Sequence, residues 1–209
     1  MKKVSTSILI LSLFASCALS QDFKQKDSIS VQTEMQKNFQ RHSIGSTFFM
    51  LFNVLPDPPS FYQLNYGYYL TPKDVIIVEA ITWTYTEPIG IPYGAIGEHY
   101  PGKIRDFGIG VGYQRFHWKN LYTTVQATPF LQNYIDSEGD RIQSGLQLFL
   151  QLRLGYRFEF FNHRFFLEPS VVCNYWPINT NFPDSFAMVE NEWPNYFLFE
   201  PGLHFGFKF

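Results

Sequence analysis

The sequence is poor in cysteine and in charge, and it has no long apolar stretch after its first 20 residues. Only 2 of its 209 residues are cysteine, and 16% are charged. Cys17 lies in a segment that we expect to be removed, so Cys173 would remain alone, and a lone cysteine forms no intrachain disulfide. A membrane-spanning helix needs roughly 18 consecutive apolar residues. These shortages exclude a disulfide-held scaffold and a helical membrane protein.

The N-terminal residues follow the order of a secretory signal peptide. A basic start is followed by an apolar run at residues 8–13 and by small residues near positions 18–20. We therefore predict a signal peptide over residues 1–20. In a second interpretation, which stays open, Cys17 is the lipidated cysteine of a lipoprotein. Residues 21–43 are mostly polar and are predicted to form a periplasmic N-terminal segment.

Aromatic residues are abundant. The chain has 23 Phe and 13 Tyr, and aromatic residues make up 19% of it. Because so few charged residues accompany them, we expect an apolar environment to cover part of the outer surface. Loss of Lys2 and Lys3 with the signal peptide would leave 14 basic residues, two fewer than the 16 of the full chain, against 18 acidic ones. This mild acidity gives no indication of a nucleic-acid partner.

From about Gly45 to the end, apolar and polar residues alternate with a period of two, which is typical of β-strands. Turn residues separate the alternating segments. We predict one all-β domain over residues 44–209, built from eight strands. The predicted strands are residues 46–54, 60–70, 75–85, 104–116, 121–133, 143–158, 164–175 and 195–209.

The predicted connections alternate between short and longer ones along the chain. The tight turns are residues 71–74, 117–120 and 161–163, and the longer connections are residues 55–59, 86–103, 134–142 and 176–194. Short and long connections then lie on opposite rims, as in outer-membrane barrels with an even number of strands. The pattern predicts an eight-stranded antiparallel up-and-down transmembrane β-barrel, because a closed ring leaves no unpaired strand edge in lipid.

The two faces of the predicted strands differ in character. In residues 143–158, leucines occupy alternate positions from Leu146 to Leu154, and glutamine or arginine stands at positions 147, 151, 153 and 157. We expect the leucine face to contact lipid and the other face to line the lumen. The predicted polar network of the lumen consists of Glu79, Gln114, Gln126, Gln147, Gln151, Arg153, Arg157, Glu168, Glu200, His204 and Lys208.

The glutamates of this network are expected to pair or hydrogen-bond with its arginines and lysine, since a buried unpaired charge is costly. An eight-stranded barrel is only wide enough for side chains to fill it or for one small ligand. We therefore expect a lumen closed by polar side chains, with a gated pore as the alternative. Gly108, Gly110 and Gly112 share the inward face, where they leave room for bulky neighbours. They are not a phosphate-binding loop, because the strand continues where a helix would be needed.

No catalytic, metal or cofactor site is expected. The five histidines are scattered, and only His204 faces the predicted lumen. The acidic residues at positions 136–140 suit a hydrophilic surface loop better than a calcium site, because the segment is too short for a calcium-binding loop. The connection at residues 176–194 mixes aromatic and acidic residues, which suits either an extracellular partner or packing across the barrel mouth.

The chain ends with Leu203, Phe205, Phe207 and Phe209 at alternate positions. This ending resembles the C-terminal signal by which the assembly machinery recognises outer-membrane barrels. The architecture from about Gly45 onward resembles the small eight-stranded outer-membrane barrel family typified by the transmembrane domain of OmpA and by OmpX. The resemblance implies a Gram-negative outer-membrane location, contacts with outer-membrane lipid and the barrel-assembly machinery, and a non-enzymatic structural or surface-interaction role.

Three other functions stay open. They are a narrow solute or ion channel, an outer-membrane enzyme acting on lipid, and a soluble lipocalin-like carrier. The carrier would require polar outer faces, which the leucine and phenylalanine faces of the predicted strands do not supply.

Overall fold

The computed structural model describes residues 39–56, 58–89, 99–192 and 197–209. The predicted signal peptide, and the predicted periplasmic segment up to residue 38, lie outside the described residues. The described chain contains nine strands, one 3-10 helix and one α-helix. The strands are β1 (His42–Thr47), β2 (Tyr62–Tyr69), β3 (Asp74–Tyr85), β4 (Gly102–Phe116), β5 (Leu121–Asp136), β6 (Arg141–Tyr156), β7 (Phe158–Phe160), β8 (Phe165–Asn179) and β9 (Phe197–Lys208); the 3-10 helix spans Phe48–Val54 and α1 spans Asp184–Glu192.

The sheet closes on itself. Neighbouring strands pair in the order β6-β5-β4-β3-β2-β1-β9-β8, and β8 pairs in turn with β6. All of these pairings are antiparallel. The short β7 continues β6 beyond Arg157 and also pairs with β8. The prediction of an all-β fold with eight antiparallel strands is therefore confirmed as a ring of eight strands.

Side chains alternate between the interior of the ring and its outer surface, as the period of two requires. On β4, for example, Ile104 and Asp106 are buried, whereas Arg105 and Phe107 are exposed. The same alternation runs through β5, β6 and β9. The sequence parity of each strand thus decides which side chains meet inside the ring.

The two rims of the ring differ in how the strands are connected. Residues 70–73, 117–120 and 161–164 connect strands on one rim, where β1 also begins and β9 ends. His42 and Phe209 exchange backbone hydrogen bonds there, with N···O distances of 3.2 and 2.9 Å. We call this end the turn side of the ring. The 3-10 helix, residues 86–89 and 99–101, residues 137–140 and α1 lie at the opposite end, which we call the loop side.

The prediction for the first strand is wrong over residues 48–54, which form the 3-10 helix instead of a strand. Consecutive apolar residues there give no inward and outward alternation, so nothing holds the segment in the sheet. The Thr47 hydroxyl caps the helix by accepting from the Phe49 amide at 3.3 Å. The Asn53 side chain then bonds both the amide and the carbonyl of Phe61, at 2.8 and 2.7 Å, and thereby turns the chain back.

Two of the longer connections are also shorter in structure than predicted. β5 extends to Asp136 and β6 begins at Arg141, so only a tight turn joins them. The Asp136 carboxylate holds this turn by accepting from the amides of Glu138 and Asp140, at 3.0 and 2.9 Å. At residues 176–194, β8 continues to Asn179 and α1 occupies most of the remainder.

Candidate functional site

The polar residues predicted to line the lumen lie in the interior of the ring. Three of them, Gln151, Glu200 and Lys208, are partly exposed. The buried ones are Glu79, Gln114, Gln126, Gln147, Arg153, Arg157, Glu168 and His204. They do not form one network, because the interior divides into a turn side and a loop side of different chemistry.

Arg157 and Glu168 form the centre of the turn side. The Arg157 Nε donates to Glu168 Oε1 at 2.7 Å, and both side chains are almost fully buried. Gln114 donates to the same carboxylate oxygen at 2.9 Å and accepts from the Thr124 hydroxyl at 3.2 Å. The predicted pairing of a lumen glutamate with a lumen arginine is therefore present at this pair.

Aromatic rings enclose the Arg157 guanidinium. Its carbon lies 4.1 Å from the centroid of the Phe166 ring and 4.5 Å from that of Phe116. It also donates to the Tyr69 hydroxyl. A guanidinium bound to a carboxylate and stacked between rings is a strongly held cation. The turn side of the ring is thus closed by packed side chains.

Lys208 does not join the lumen network. Its ammonium binds Glu159 Oε1 at 2.6 Å, at the turn side, and His163 contacts the other oxygen of the same carboxylate at 2.7 Å. The prediction that Lys208 joins Glu79, Glu168 or Glu200 is wrong, because its ammonium binds Glu159 on β7 instead. Glu159 shares its strand parity with Arg157, so the sequence held the signal that would have identified it.

Glu79 lies halfway along the interior and is bound by neutral donors rather than by a cation. Gln126 and Thr128 donate to its Oε1 at 2.7 and 3.2 Å, and Gln63 donates to its Oε2 at 2.6 Å. Both carboxylate oxygens therefore have partners. Side chains of β2 and β5 therefore bind this carboxylate in place of the arginine that was expected.

Arg153 has the opposite situation. It is 4% exposed, and its terminal nitrogen donates to Gln151 Oε1 at 2.5 Å. Its Nε has no hydrogen-bond partner, and no carboxylate oxygen among the described residues lies within 4.0 Å of its guanidinium. Glu200, which faces the same space, instead accepts from Asn174 at 2.7 Å.

The loop side of the interior contains an apolar cluster, which the prediction of a polar lumen missed. Phe130, Phe149 and Trp176 form a buried cluster, with the rings of Phe149 and Trp176 stacked at 5.3 Å. Ile81, Trp83 and Leu198 pack against this cluster. All three clustered aromatic residues have the inward parity of their strands, so parity, rather than polarity, was the informative signal.

The glycines of β4 stand opposite this cluster and the Glu79 site. A Cβ at Gly108 would lie 2.6 Å from the Phe130 ring, and one at Gly112 would lie 3.1 Å from the Gln126 side chain. Neither position has space for a larger residue. These glycines therefore let bulky side chains of β5 fill the interior, as the sequence analysis expected.

A second buried set beyond the aromatic cluster was not predicted. Asp106 is fully buried and accepts from the Trp83 indole at 3.2 Å. Gln132 donates to the Tyr85 hydroxyl at 3.0 Å and accepts from the Tyr134 hydroxyl at the same distance. Asp106 shares the inward parity of Gly108, and that parity would have placed it inside the ring.

Helix α1 packs onto this end of the ring. Phe186 is fully buried, stacks on the Tyr100 ring at 5.1 Å and contacts the Tyr134 ring at 5.5 Å. The Tyr100 hydroxyl donates to the Glu190 carboxylate. Packing across the mouth, one of the two predicted roles of residues 176–194, is therefore present for the residues described.

A cavity of about 490 Å³ lies between the aromatic cluster and the polar residues halfway along the interior. Ile81, Trp83, Phe130 and Phe149 contribute apolar wall, while Arg153 and Glu200 contribute charge. A second cavity, of about 30 Å³, lies further toward the turn side. The larger volume falls in the range of small-molecule sites, about 300 to 1,000 Å³.

The four residues of the predicted assembly signal lie on the outer face of β9 and at the chain end. Leu203, Phe207 and Phe209 are exposed. Phe205 is partly covered by Phe48 of the 3-10 helix, with ring centroids 4.9 Å apart. All four point away from the cavity, as the strand parity requires.

Within the described residues, no group of three or more His, Cys, Asp or Glu side chains is placed to hold a metal ion. Neither of the described helices is long and apolar enough to cross a membrane. No family model, curated protein or solved structure matches the chain. Its function is therefore inferred from the chemistry of its surfaces and its interior.

Proposed function

We propose that the chain is an integral outer-membrane protein, and that its ring of eight strands is a transmembrane β-barrel with a structural or surface-interaction role. The observation that carries this proposal is the apolar outer face of the ring. Every ring strand exposes at least one large apolar side chain by more than a third of its area. Examples, one from each strand in chain order, are Ile44, Leu64, Val78, Ile109, Val125, Leu152, Val171 and Phe199.

Charge on the outer face is confined to the ends of the strands. On β4, Lys103 and Arg105 stand at the loop-side end and Arg115 at the turn-side end, with Ile109 and Val111 exposed between them. Continuous apolar surface of this kind is rare on soluble monomers. Apolar bands bounded by polar residues are typical of barrels in a bilayer.

Six of the eight ring strands are long enough for such a location. A transmembrane β-strand needs about 9 to 11 residues when tilted. β3, β4, β5, β6, β8 and β9 have 12 to 16 residues, whereas β1 and β2 have 6 and 8. Ring closure over the stretch where β1 pairs with both β2 and β9 supports the same proposal. An open sheet edge in hydrocarbon would leave backbone groups unpaired at several kcal/mol each. The apolar ending of β9 is what recognition by a barrel-assembly machinery would require.

The interior supports a structural or surface-interaction role over conduction. Arg157, Glu168 and the rings around them close the turn side, and only the small cavity of about 30 Å³ is found near them among the described residues. In planar bilayers we expect no steady conductance from the purified protein. Reproducible single-channel steps that change on substitution of Arg157 would favour the narrow channel.

A matched pair of substitutions on β6 tests membrane insertion. Leu152 and Ile142 are outward-facing and similarly exposed, 53% and 45%, but Leu152 lies in mid-strand and Ile142 at the loop-side end. In vesicles, we expect Leu152→Lys to lower the free energy of unfolding by about 2 to 4 kcal/mol and Ile142→Lys by about 1 kcal/mol or less. If the outer face were in water, the two substitutions would lower the free energy of unfolding by similar amounts.

Cell fractionation provides the independent readout. We expect the protein in the outer-membrane fraction, with faster gel migration before boiling than after it, because folded barrels resist detergent unfolding. Recovery in the aqueous fraction, together with equal effects of Leu152→Lys and Ile142→Lys, would overturn the membrane proposal and favour the soluble carrier.

A further inference from the structure

We propose that the cavity of about 490 Å³ binds a single-chain amphiphile with a carboxylate head group, a fatty acid in chemical class. Arg153 receives the carboxylate, and the hydrocarbon chain lies between the aromatic walls of the loop side. The site concerns the interior of the ring alone. It goes beyond the proposed structural role and does not depend on where the ring is located.

The head-group assignment rests on unused polar atoms. Arg153 Nε and His204 Nδ1 are buried, line the cavity and have no hydrogen-bond partner among the described residues. Glu79 and Glu200 attract the Arg153 guanidinium from beyond ion-pair distance, but no hydrogen bond joins either of them to it. A carboxylate head group would supply the missing acceptor at contact distance. Arg157, the other buried arginine on the same side of the strand, already has its carboxylate.

Glu79, the acidic residue halfway along the interior, is not available for a cationic ligand. Both oxygens of Glu79 already accept hydrogen bonds from Gln63, Gln126 and Thr128. Glu200 accepts from Asn174. An amine would compete with these bonds, whereas a carboxylate would use a donor that no described residue occupies. An anionic head group is therefore favoured over a cationic one.

The apolar part of the site suits a hydrocarbon chain. Ile81, Trp83, Phe130, Phe149 and Leu198 contribute apolar side chains to the cavity wall. Burial of a methylene group in such surroundings contributes about 0.8 kcal/mol. An eight-stranded ring is wide enough for one small ligand, and the cavity lies where the interior is not filled by side chains.

The ring wall is also incomplete beside the cavity. β1 ends at Thr47, opposite His204, whereas β9 continues toward the loop side to Phe197 and β2 to Tyr62. In the described chain the 3-10 helix, rather than a strand, occupies this stretch, and its Phe49 lines the cavity. A hydrocarbon chain that passes through the wall between β2 and β9 would therefore meet the apolar side chain of Phe49.

Titration calorimetry of the full chain, folded in amphipol, tests the site with three probes of equal chain length. We expect saturable binding of decanoate with one site per protein and weaker binding of decanol and decylamine. Arg153→Gln should lower decanoate affinity about ten- to hundredfold, because it removes a charge-assisted bond. Arg115→Gln, at the exposed turn-side end of β4, is the matched control and should leave affinity unchanged.

A second variant separates the site from its head-group assignment. Ile81→Trp fills the apolar end and should abolish binding of all three probes, while gel migration before boiling shows that the variant is folded. Absence of saturable binding to the unaltered protein, or equal decanoate affinity of Arg153→Gln, would overturn the proposal. Tighter binding of decylamine than of decanoate would overturn the carboxylate assignment. Neither outcome alters the fractionation result that tests membrane location.

Discussion

Arg157 and Arg153 stand four residues apart, both facing the interior of the same ring, yet their surroundings are opposite. Arg157 is bound to Glu168 and enclosed by the rings of Phe116 and Phe166. Arg153 contacts Gln151 and borders a cavity. The difference shows that the residue type and the strand face do not decide the role of a charge inside the ring. The residues that other strands place beside the charge decide it, as Glu168 on the neighbouring β8 does for Arg157.

The comparison extends to the two halves of the interior. On the turn side, charged and aromatic side chains fill the space and satisfy one another, which is the arrangement that confers rigidity. On the loop side, aromatic residues leave a cavity, and unfilled space costs stability unless a ligand occupies it. The turn side is therefore the half from which we expect most of the stability, and the loop side is the candidate for binding.

The largest expected effect comes from breaking the turn-side pair. Arg157→Met would leave Glu168 buried without its cation, and we expect the free energy of unfolding to fall by about 3 to 5 kcal/mol. Urea unfolding in vesicles, followed by tryptophan fluorescence, measures the change. Adding Glu168→Leu should recover part of the loss, because no uncompensated charge remains. A single variant as stable as the unaltered protein would contradict the importance of the turn side.

A packing comparison on one strand gives the next largest effect. Val75 is 2% exposed on the turn side of β3, whereas Ile81 borders the cavity. Val75→Phe should cost about 1 to 3 kcal/mol, because a filled interior must distort to accept the ring. Ile81→Phe should cost less, since the added atoms enter existing space. Equal costs in urea unfolding would show that the two halves are packed alike.

Removal of the other arginine should have a smaller effect. Arg153→Met loses the hydrogen bond to Gln151 but breaks no ion pair among the described residues. We expect a change in unfolding free energy of about 1 kcal/mol or less in the absence of ligand. If this variant proved as unstable as Arg157→Met, the contrast between the two arginines would be removed.

The smallest effect concerns pH at the loop side. Burial raises the pKa of the Glu190 carboxyl, more than the hydrogen bond from Tyr100 lowers it. A raised carboxyl pKa in the folded state favours the protonated form. Protonation of Glu190 therefore stabilises the folded state. This contribution to the free energy of unfolding is fully present below the ordinary glutamate pKa and is lost as pH rises through the raised pKa. Urea unfolding between pH 4 and pH 8 should show this decline, and Glu190→Gln should remove it.

Sequence periodicity predicted most of the ring, and it failed where periodicity is absent. β3, β4 and β5 begin within two residues of their predicted starts because each alternates over its full length. Residues 48–54 are apolar at nearly every position, so an inward and an outward face could not be told apart, and the 3-10 helix was missed. The turn at residues 137–140 was overestimated because polar ends of strands resemble loops in sequence.

Prediction of the interior was limited by the use of polarity as its criterion. Glu79, Gln126 and Glu168 were found because polar residues in an apolar chain are conspicuous. Phe130 and Phe149, which line the cavity, were not found, although they have the inward parity of their strands. Membrane insertion, the assembly signal and the role of the ring stay predictions.

The sequence by itself determined the all-β class, the antiparallel order and the inward or outward side of most residues, because these depend on local alternation and turn chemistry. Tertiary structure alone decided which inward residues meet. Arg157 reaches Glu168 and Arg153 does not reach Glu79 or Glu200 within ion-pair distance, although all are inward by parity. The stagger of strands around the ring sets these encounters, and stagger depends on pairings between segments far apart in sequence.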